Sequence, residues 1–547
     1  MNNSLRKTAA ALFFFLVIFP DIAAQTVNFS SSNLPVIVIN TSGQEIPDEP
    51  KITADMGIIF NAGNARNNLT DPFNHYNGKI GIEIRGQSSQ MFPMKSYSIE
   101  LRDVIGNSTD KSLFGLPKES DWVLYAPYTD KTLMRNFLAY SMSRDLGHWA
   151  SNCRFVEVVL NGDYKGVYIF MEKIKRGSGR VNVTKMAATD LSGDAVTGGY
   201  IFSLDKEPDA WYSSFPTPNA SNNNIRRFSY VYPKVENIVA AQQAYLKSYV
   251  DSFENSLAAA NFQDPIRGVR NFADLPSFID YFIVNEISRN VDGYRLSAFF
   301  YKDRNSKNRK IFAGPVWDYD LAFRNADYCD GSNSIGWAYQ FNYVCPGDGA
   351  GLIPFWWNRL MEDTGFVSSM RCRWKEQRNS KLSTDHFIQR IDSVVNLLSE
   401  AQVRHFQRWQ VLGKYIWPNP QPIATTYVQE IEYLKSWINS RLQWIDANIP
   451  NKGACFDYPA DARESIIVTI SPNPLQSSGT IQIQSRLNQA LQMQVTDVAG
   501  RSLGVRKIAL TTGINTIPLQ ADAWAAGIYY ITFTAGNGEK ISRKVVK

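Results

Sequence analysis

The sequence of 547 residues is poor in the groups that metal and nucleophile chemistry favour: it has four histidines, all far apart, and five cysteines with no CxxC pair. That leaves little from which to build a zinc site or a histidine-centred triad. No GxxxxGK[ST] stretch is present, which excludes a P-loop nucleotide enzyme. No apolar run approaches the ~20 residues that span a bilayer. An excess of one charge is also missing from most of the chain. The net charge is +6, but residues 1–24 carry +1 and residues 465–547 hold eight Lys/Arg against three Asp/Glu, so the middle is close to neutral. A protein that tracks nucleic-acid phosphates shows a basic face or stripe, and composition gives none. Hydrophobic residues at 44% and charged residues at 20% are ordinary globular values and exclude general disorder.

What is present begins with a tripartite leader. Arg6 and Lys7 precede an apolar run from Ala9 to Phe19, Pro20 breaks it, and Ala23-Ala24 follow. This order reads as a signal peptide cut after Ala24, with Gln25 as the new N-terminus. Export permits disulfides. Cys329 and Cys345 bracket a loop rich in Gly, Asn and Asp, and that pair is expected to be bridged. Cys153, Cys372 and Cys455 remain, an odd number that leaves at least one thiol free.

Hydrophobic periodicity divides the rest. Lys79 to Arg85 and Lys95 to Leu101 alternate apolar and polar residues, the mark of half-buried strands, with Gly86 to Ser89 as the turn between them. Leu34 to Ile39 is a further strand, and Phe155 to Leu160 with Gly166 to Met171 reads as a hairpin across Asn161-Gly162. Leu133 to Leu146 has helical spacing, with Asp130 as its expected N-cap. Beyond about residue 235 helices dominate: Ile238 to Ala259, Leu275 to Val284 capped by Asp274, and most of Phe355 to Ile449. They are interrupted by strands Leu296 to Lys302 and Lys310 to Val316. Strands followed by helices predict an α+β fold with two lobes over residues 25–450. Residues 451–467 read as a linker. Residues 468–547, with short strands and regular turn signals, read as a small all-β, immunoglobulin-like sandwich without catalytic groups.

The carboxylates that stand out lie at element ends rather than on exposed helix faces. Asp292 follows a helix and precedes a strand, and Asp318 and Asp320 follow the apolar strand that ends at Val316. A carboxylate leaving a buried strand needs a cation, an arginine or backbone donors as partner. Two of them together suit Mg²⁺ and the orientation of a nucleophile. The competing reading is a set of Asx caps and turns. Near the N-terminus, Arg85-Gly-Gln-Ser-Ser89 and Lys95 offer backbone N–H groups and positive charge to phosphates, although a lysine at a strand edge also serves to block aggregation.

These segments occur in an order that resembles a known family. Arg85-Gly-Gln-Ser-Ser89 with Pro93-Met-Lys95, Asp130 to Asn136, Leu160 to Tyr168 with Glu172-Lys173, Asn290-Val-Asp292 and Trp317-Asp318-Tyr-Asp320 are similar to the CotH family of atypical, protein-kinase-like enzymes. The resemblance covers about residues 34–445. It implies a two-lobed kinase-like fold, ATP, Mg²⁺ or Mn²⁺, and transfer of phosphate to a protein hydroxyl. By position, Lys95, Arg85 and Ser88 would meet the nucleotide phosphates, and Glu172 would lie beside the adenine. Asp292 would be the catalytic-loop aspartate, and Asp318, with Asp320, would bind metal. The chain departs from the kinase pattern at Ser297, where a metal-binding Asn stands five residues after the catalytic Asp, and in having no Glu on the helix from Leu133. A surface binding or structural protein on the same fold is therefore the alternative. The tail, with Ser471-Pro-Asn-Pro474, Asp497-Val-Ala-Gly-Arg501 and Ala526-Gly-Ile-Tyr-Tyr530, resembles the sorting domain of the type IX secretion system. That resemblance implies passage through the periplasm, the translocon as partner and a place outside the cell or on its surface.

Overall fold

The computed structural model describes residues 25–205, 210–218, 225–264, 267–345, 352–450, 466–485, 489–511, 513–535 and 540–547. The leader and most of the linker at 451–467 lie outside them. Among the described residues no helix is long and apolar enough to cross a membrane.

The two alternating strands near the N-terminus belong to a closed barrel. Its strands are β1 (Val36–Asn40), β2 (Ile52–Ile59), β3 (Tyr76–Arg85), β4 (Ser96–Arg102), β5 (Asp121–Tyr125), β6 (Cys153–Leu160) and β7 (Asp163–Glu172), in spatial order β1-β2-β3-β4-β5-β7-β6. All neighbours are antiparallel except β1 and β6, which close the barrel in parallel from Val36↔Glu157 to Ile39↔Leu160. Residues two apart on each strand point inward: Ile37 and Ile39, Ile80 and Ile82, Ile99 and Leu101 pack with Trp122 and Phe170. The strand-rich half is thus a closed seven-stranded barrel, a closure that the alternation of its strands did not predict.

Between β5 and β6 runs α1 (Arg135–Asp145). Asp130 is not its N-cap residue, since Met134 occupies that position without a side-chain cap. Asp130 instead accepts from the Arg135 backbone N at 2.8 Å and pairs with its guanidinium at 2.5 Å, while Arg135 also reaches Glu430 at 3.0 Å. All three side chains are buried, so the segment from Asp130 to Arg135 fastens α1 to the last helix of the domain.

The remainder of the domain is not simply helical. The two expected strands are β11 (Ala298–Lys302) and β12 (Ile311–Ala313). They join β8 (Tyr200–Leu204), β9 (Ala210–Pro216) and β10 (Ile225–Tyr232) in a five-stranded sheet of order β9-β10-β8-β11-β12. Around it pack α2 (Ala240–Ala258), α3 (Leu275–Ser288), α4 (Trp356–Glu362), α5 (Thr364–Arg378), α6 (Thr384–Leu397), α7 (Ala401–Arg408) and α8 (Tyr427–Asn448). The core between them is aromatic, with Phe278, Tyr281, Phe282, Phe300, Trp356 and Trp357 in one cluster. Cys329 and Cys345 form a disulfide, Cys372 is also disulfide-bonded, and Cys153 is a free, half-buried thiol whose pKa is pushed up to about 12 by loss of hydration.

The tail is all β: β13 (Ile466–Ser471), β14 (Ser478–Ser485), β15 (Gln489–Asp497), β16 (Ser502–Leu510), β17 (Gly513–Gln520), β18 (Ile528–Ala535) and β19 (Lys540–Val546). Sheets β13-β14-β17 and β16-β15-β18-β19 enclose a single core that includes Ile481, Ile483, Met493, Ile531, Phe533 and Val545.

Candidate functional site

A cavity of about 570 Å³ lies where the barrel meets the five-stranded sheet. Arg85 and Ser88 from the barrel, and Asp292, Asp318 and Asp320 from the opposite side, all line it. The barrel's contribution is set by the turn after β3. Gly86 holds φ +97°, and a Cβ there would fall 2.0 Å from Ser89 Oγ, so only glycine lets the chain turn into the short 3₁₀ segment Ser88–Met91.

On the opposite side, α3 starts at the Asp274 cap, which accepts from Ser277 N at 3.1 Å, and stops at Arg289 in a left-handed conformation. The turn that follows carries Asp292. Its backbone N donates to Asn290 Oδ1 at 3.2 Å and its carboxylate pairs with Arg295 at 3.1 Å. Gly293 is pressed against α3: a Cβ would lie 1.9 Å from Asn285 Oδ1. Asn290 Nδ2 donates to the Asp318 carbonyl at 3.1 Å and so ties the two acidic segments together.

Asp318 has φ +65°, a conformation Asp tolerates better than most residues but one that needs support from its surroundings. Helix α1 supplies it. Tyr140 Oη accepts from Asp318 N at 3.2 Å, and Asn136 Oδ1 accepts from Tyr319 N at 2.6 Å. Tyr319 Oη in turn donates to Asn285 at 2.9 Å, and Asn325 Nδ2 donates to the Asp320 carbonyl at 2.8 Å. The acidic segment is thus clamped between α1 and α3, and its carboxylates are left to face the cavity.

Asp318 is exposed to the cavity, with protein packed on its other sides. The loss of hydration raises its pKa above the usual carboxylate range, Asp292 raises it further, and Arg85 opposes both. Asp320 is raised well above the ordinary value by burial and then by Asp318 and Asp130. A cation between these carboxylates would relieve both effects, and their oxygen donors suit a hard divalent ion such as Mg²⁺ or Mn²⁺. Among the described residues no group of three or more His, Cys, Asp or Glu closes around one point. A carboxylate pair that shares its ion with phosphate oxygens and water is the arrangement Mg²⁺ commonly adopts.

The structure places two expected residues elsewhere. Lys95 does not line the cavity; its ammonium donates to the Gln90 carbonyl. Glu172 is enclosed at the end of β7, where it accepts from Asn152 N at 3.0 Å and Asn152 Nδ2 at 2.8 Å. Its neighbours Met171 and Lys173 line the cavity instead. Sequence reasoning also missed Tyr125, Asn136 and Tyr140, cavity residues that carry no charge and so give no signal in a search for acids and bases. Ser297, at the position of the missing Asn, lines the cavity too. The histidines hold separate local contacts, such as His148 with Asp280 at 2.8 Å and His386 with Asp145 at 3.2 Å.

A family model described as CotH kinase protein matches residues 82–445, a span that contains every residue of the cavity discussed above. A second model, described as a secretion system C-terminal sorting domain, matches residues 469–547 and coincides with the β tail. No curated protein matches the chain. The sorting domain marks export through the type IX secretion system to the cell surface or beyond.

Proposed function

This chain belongs to the CotH kinase protein family, and we propose that it is an exported phosphotransferase that moves the terminal phosphate of ATP to a protein hydroxyl with the help of Mg²⁺ or Mn²⁺. The observation that carries the proposal is the single cavity in which Asp292, Asp318 and Asp320 face Arg85 and Lys173. Barrel and helical half then act as the two lobes of a kinase-like cleft. Asp318 and Asp320 would hold the divalent ion, which would supply charge neutralisation to the phosphates. Asp292 accepts the proton of the acceptor hydroxyl as that oxygen bonds to the terminal phosphorus, the bond to the bridging oxygen breaks, and ADP leaves. Clamping by Tyr140 and Asn136 fixes the acidic segment before substrate arrives, so its reorganisation adds nothing to the barrier.

A second reading, a surface binding protein without catalysis, is favoured by Lys95 being turned onto Gln90 and by Ser297 standing where kinases have Asn. Incubation of the secreted protein with terminally radiolabelled ATP and Mg²⁺ or Mn²⁺ separates the two. Metal-dependent label on protein supports transfer, and no label with either ion leaves the binding protein.

A further inference from the structure

Among the described residues that line the cavity, Arg85 and Lys173 are the two basic side chains, set against seven carboxylates. They arrive from different strands, Arg85 at the end of β3 and Lys173 just past the end of β7, with β4 and β5 between. Arg85 is fixed over the Trp317 ring at 5.4 Å, and its enclosed Nη1 makes no hydrogen bond within the protein. A buried donor without an acceptor is costly, and an acceptor brought by a ligand would relieve that cost. Lys173 is anchored through its backbone, whose carbonyl accepts from Arg180 at 3.0 Å. The charges that act most on its ammonium are Arg85 on β3, Asp121 on β5, Lys51 ahead of β2 and Lys234 after β10. Lys51 is already paired with Glu83 at 2.7 Å and Asp121 with Lys175 at 2.6 Å, so an anion brought by a ligand would give Lys173 a partner of its own. Lys95, by contrast, already has a backbone acceptor.

We infer that Lys173, beside Arg85, receives the phosphate chain of the nucleotide and takes the part that the family resemblance implied for Lys95. This rests on the phosphotransferase reading given above. Burial, and after it Arg85, pulls the Lys173 pKa down to about 8. An arriving polyphosphate would raise it again, so nucleotide binding near pH 8 takes up protons.

The test is calorimetric titration of the full mature chain with MgATP and with adenosine, using wild type, Lys173→Met, Lys173→Arg and Lys95→Met. Wild type is also titrated at pH 8 in two buffers of different ionisation enthalpy. Loss of a charge-assisted contact predicts roughly 10- to 100-fold weaker ATP binding by Lys173→Met, unchanged adenosine binding, rescue by Lys173→Arg and no effect of Lys95→Met. In the same two buffers at pH 8, wild type should take up as much as about half a proton more than Lys173→Arg, whose guanidinium stays charged, and at pH 6 the two should agree. The comparison cancels the proton release that metal binding causes at Asp318 and Asp320. ATP binding that is indifferent to Lys173 but lost in Lys95→Met, or equal proton uptake by wild type and Lys173→Arg at pH 8, overturns this inference alone. Absence of any ATP binding by wild type overturns the phosphotransferase reading and this inference with it.

Discussion

Replacing Glu254 by Gln should make the protein more stable in mild base and little different in acid. Glu254 lies on α2 with no exposed surface, and its Oε1 accepts from Trp356 Nε1 at 2.8 Å and from Ser213 Oγ at 2.9 Å. Burial outweighs these bonds and pushes its carboxyl up to about 7 from an ordinary 4.5. The fold therefore prefers the protonated acid. The stability this group contributes is fully present below about pH 4.5 and is lost as pH rises through about 7. At about 1.4 kcal/mol per pH unit, the loss across that window is about 3 kcal/mol. Gln keeps an acceptor for Trp356 and a partner for Ser213 but never ionises. The stability gap between variant and wild type should thus widen by about 3 kcal/mol from pH 4.5 to pH 8. Urea unfolding of both proteins at several pH values measures it. Parallel stability curves across that range would refute the reasoning.

Other outcomes follow from the same structure. Arg135→Met leaves the buried Asp130 and Glu430 carboxylates without their shared partner, and urea unfolding should show a loss of about 3–5 kcal/mol. Asp292→Asn should leave nucleotide binding intact and slow phosphate transfer by about 10²–10⁴-fold, read by radiolabel incorporation at saturating ATP. Cys329 and Cys345 should resist alkylation until reductant is added, and peptide mapping of the secreted protein decides this.

Much of the architecture was legible where one face of an element is buried and the other is wet. Strands β3 and β4 show the period of two, and α3 shows its cap at Asp274. Strand β8 escaped notice for the opposite reason. Tyr200 to Leu204 is buried at every position, so it has no alternation to read. Closure of the barrel depends on β1 meeting β6 more than a hundred residues later, a pairing that no local pattern reports. At the site, Asp292, Asp318 and Asp320 were visible as acids stranded at the ends of apolar elements. Lys173 entered only as the neighbour of Glu172, because β7 is buried almost throughout and shows no alternation to tell which of its last side chains meets the cavity. Which way its last side chains point is settled by packing rather than by sequence order. The same holds for Lys95, whose motif position is clear but whose ammonium finds the nearby Gln90 carbonyl.

The central claim is that this cavity binds ATP through a metal held by Asp318. Calorimetric titration of the mature protein and of Asp318→Asn with ATP, with and without Mg²⁺, tests it most directly. The account predicts binding by the wild type only when Mg²⁺ is present and its loss in Asp318→Asn. Metal-independent binding, or equal metal-dependent binding by both proteins, would contradict it.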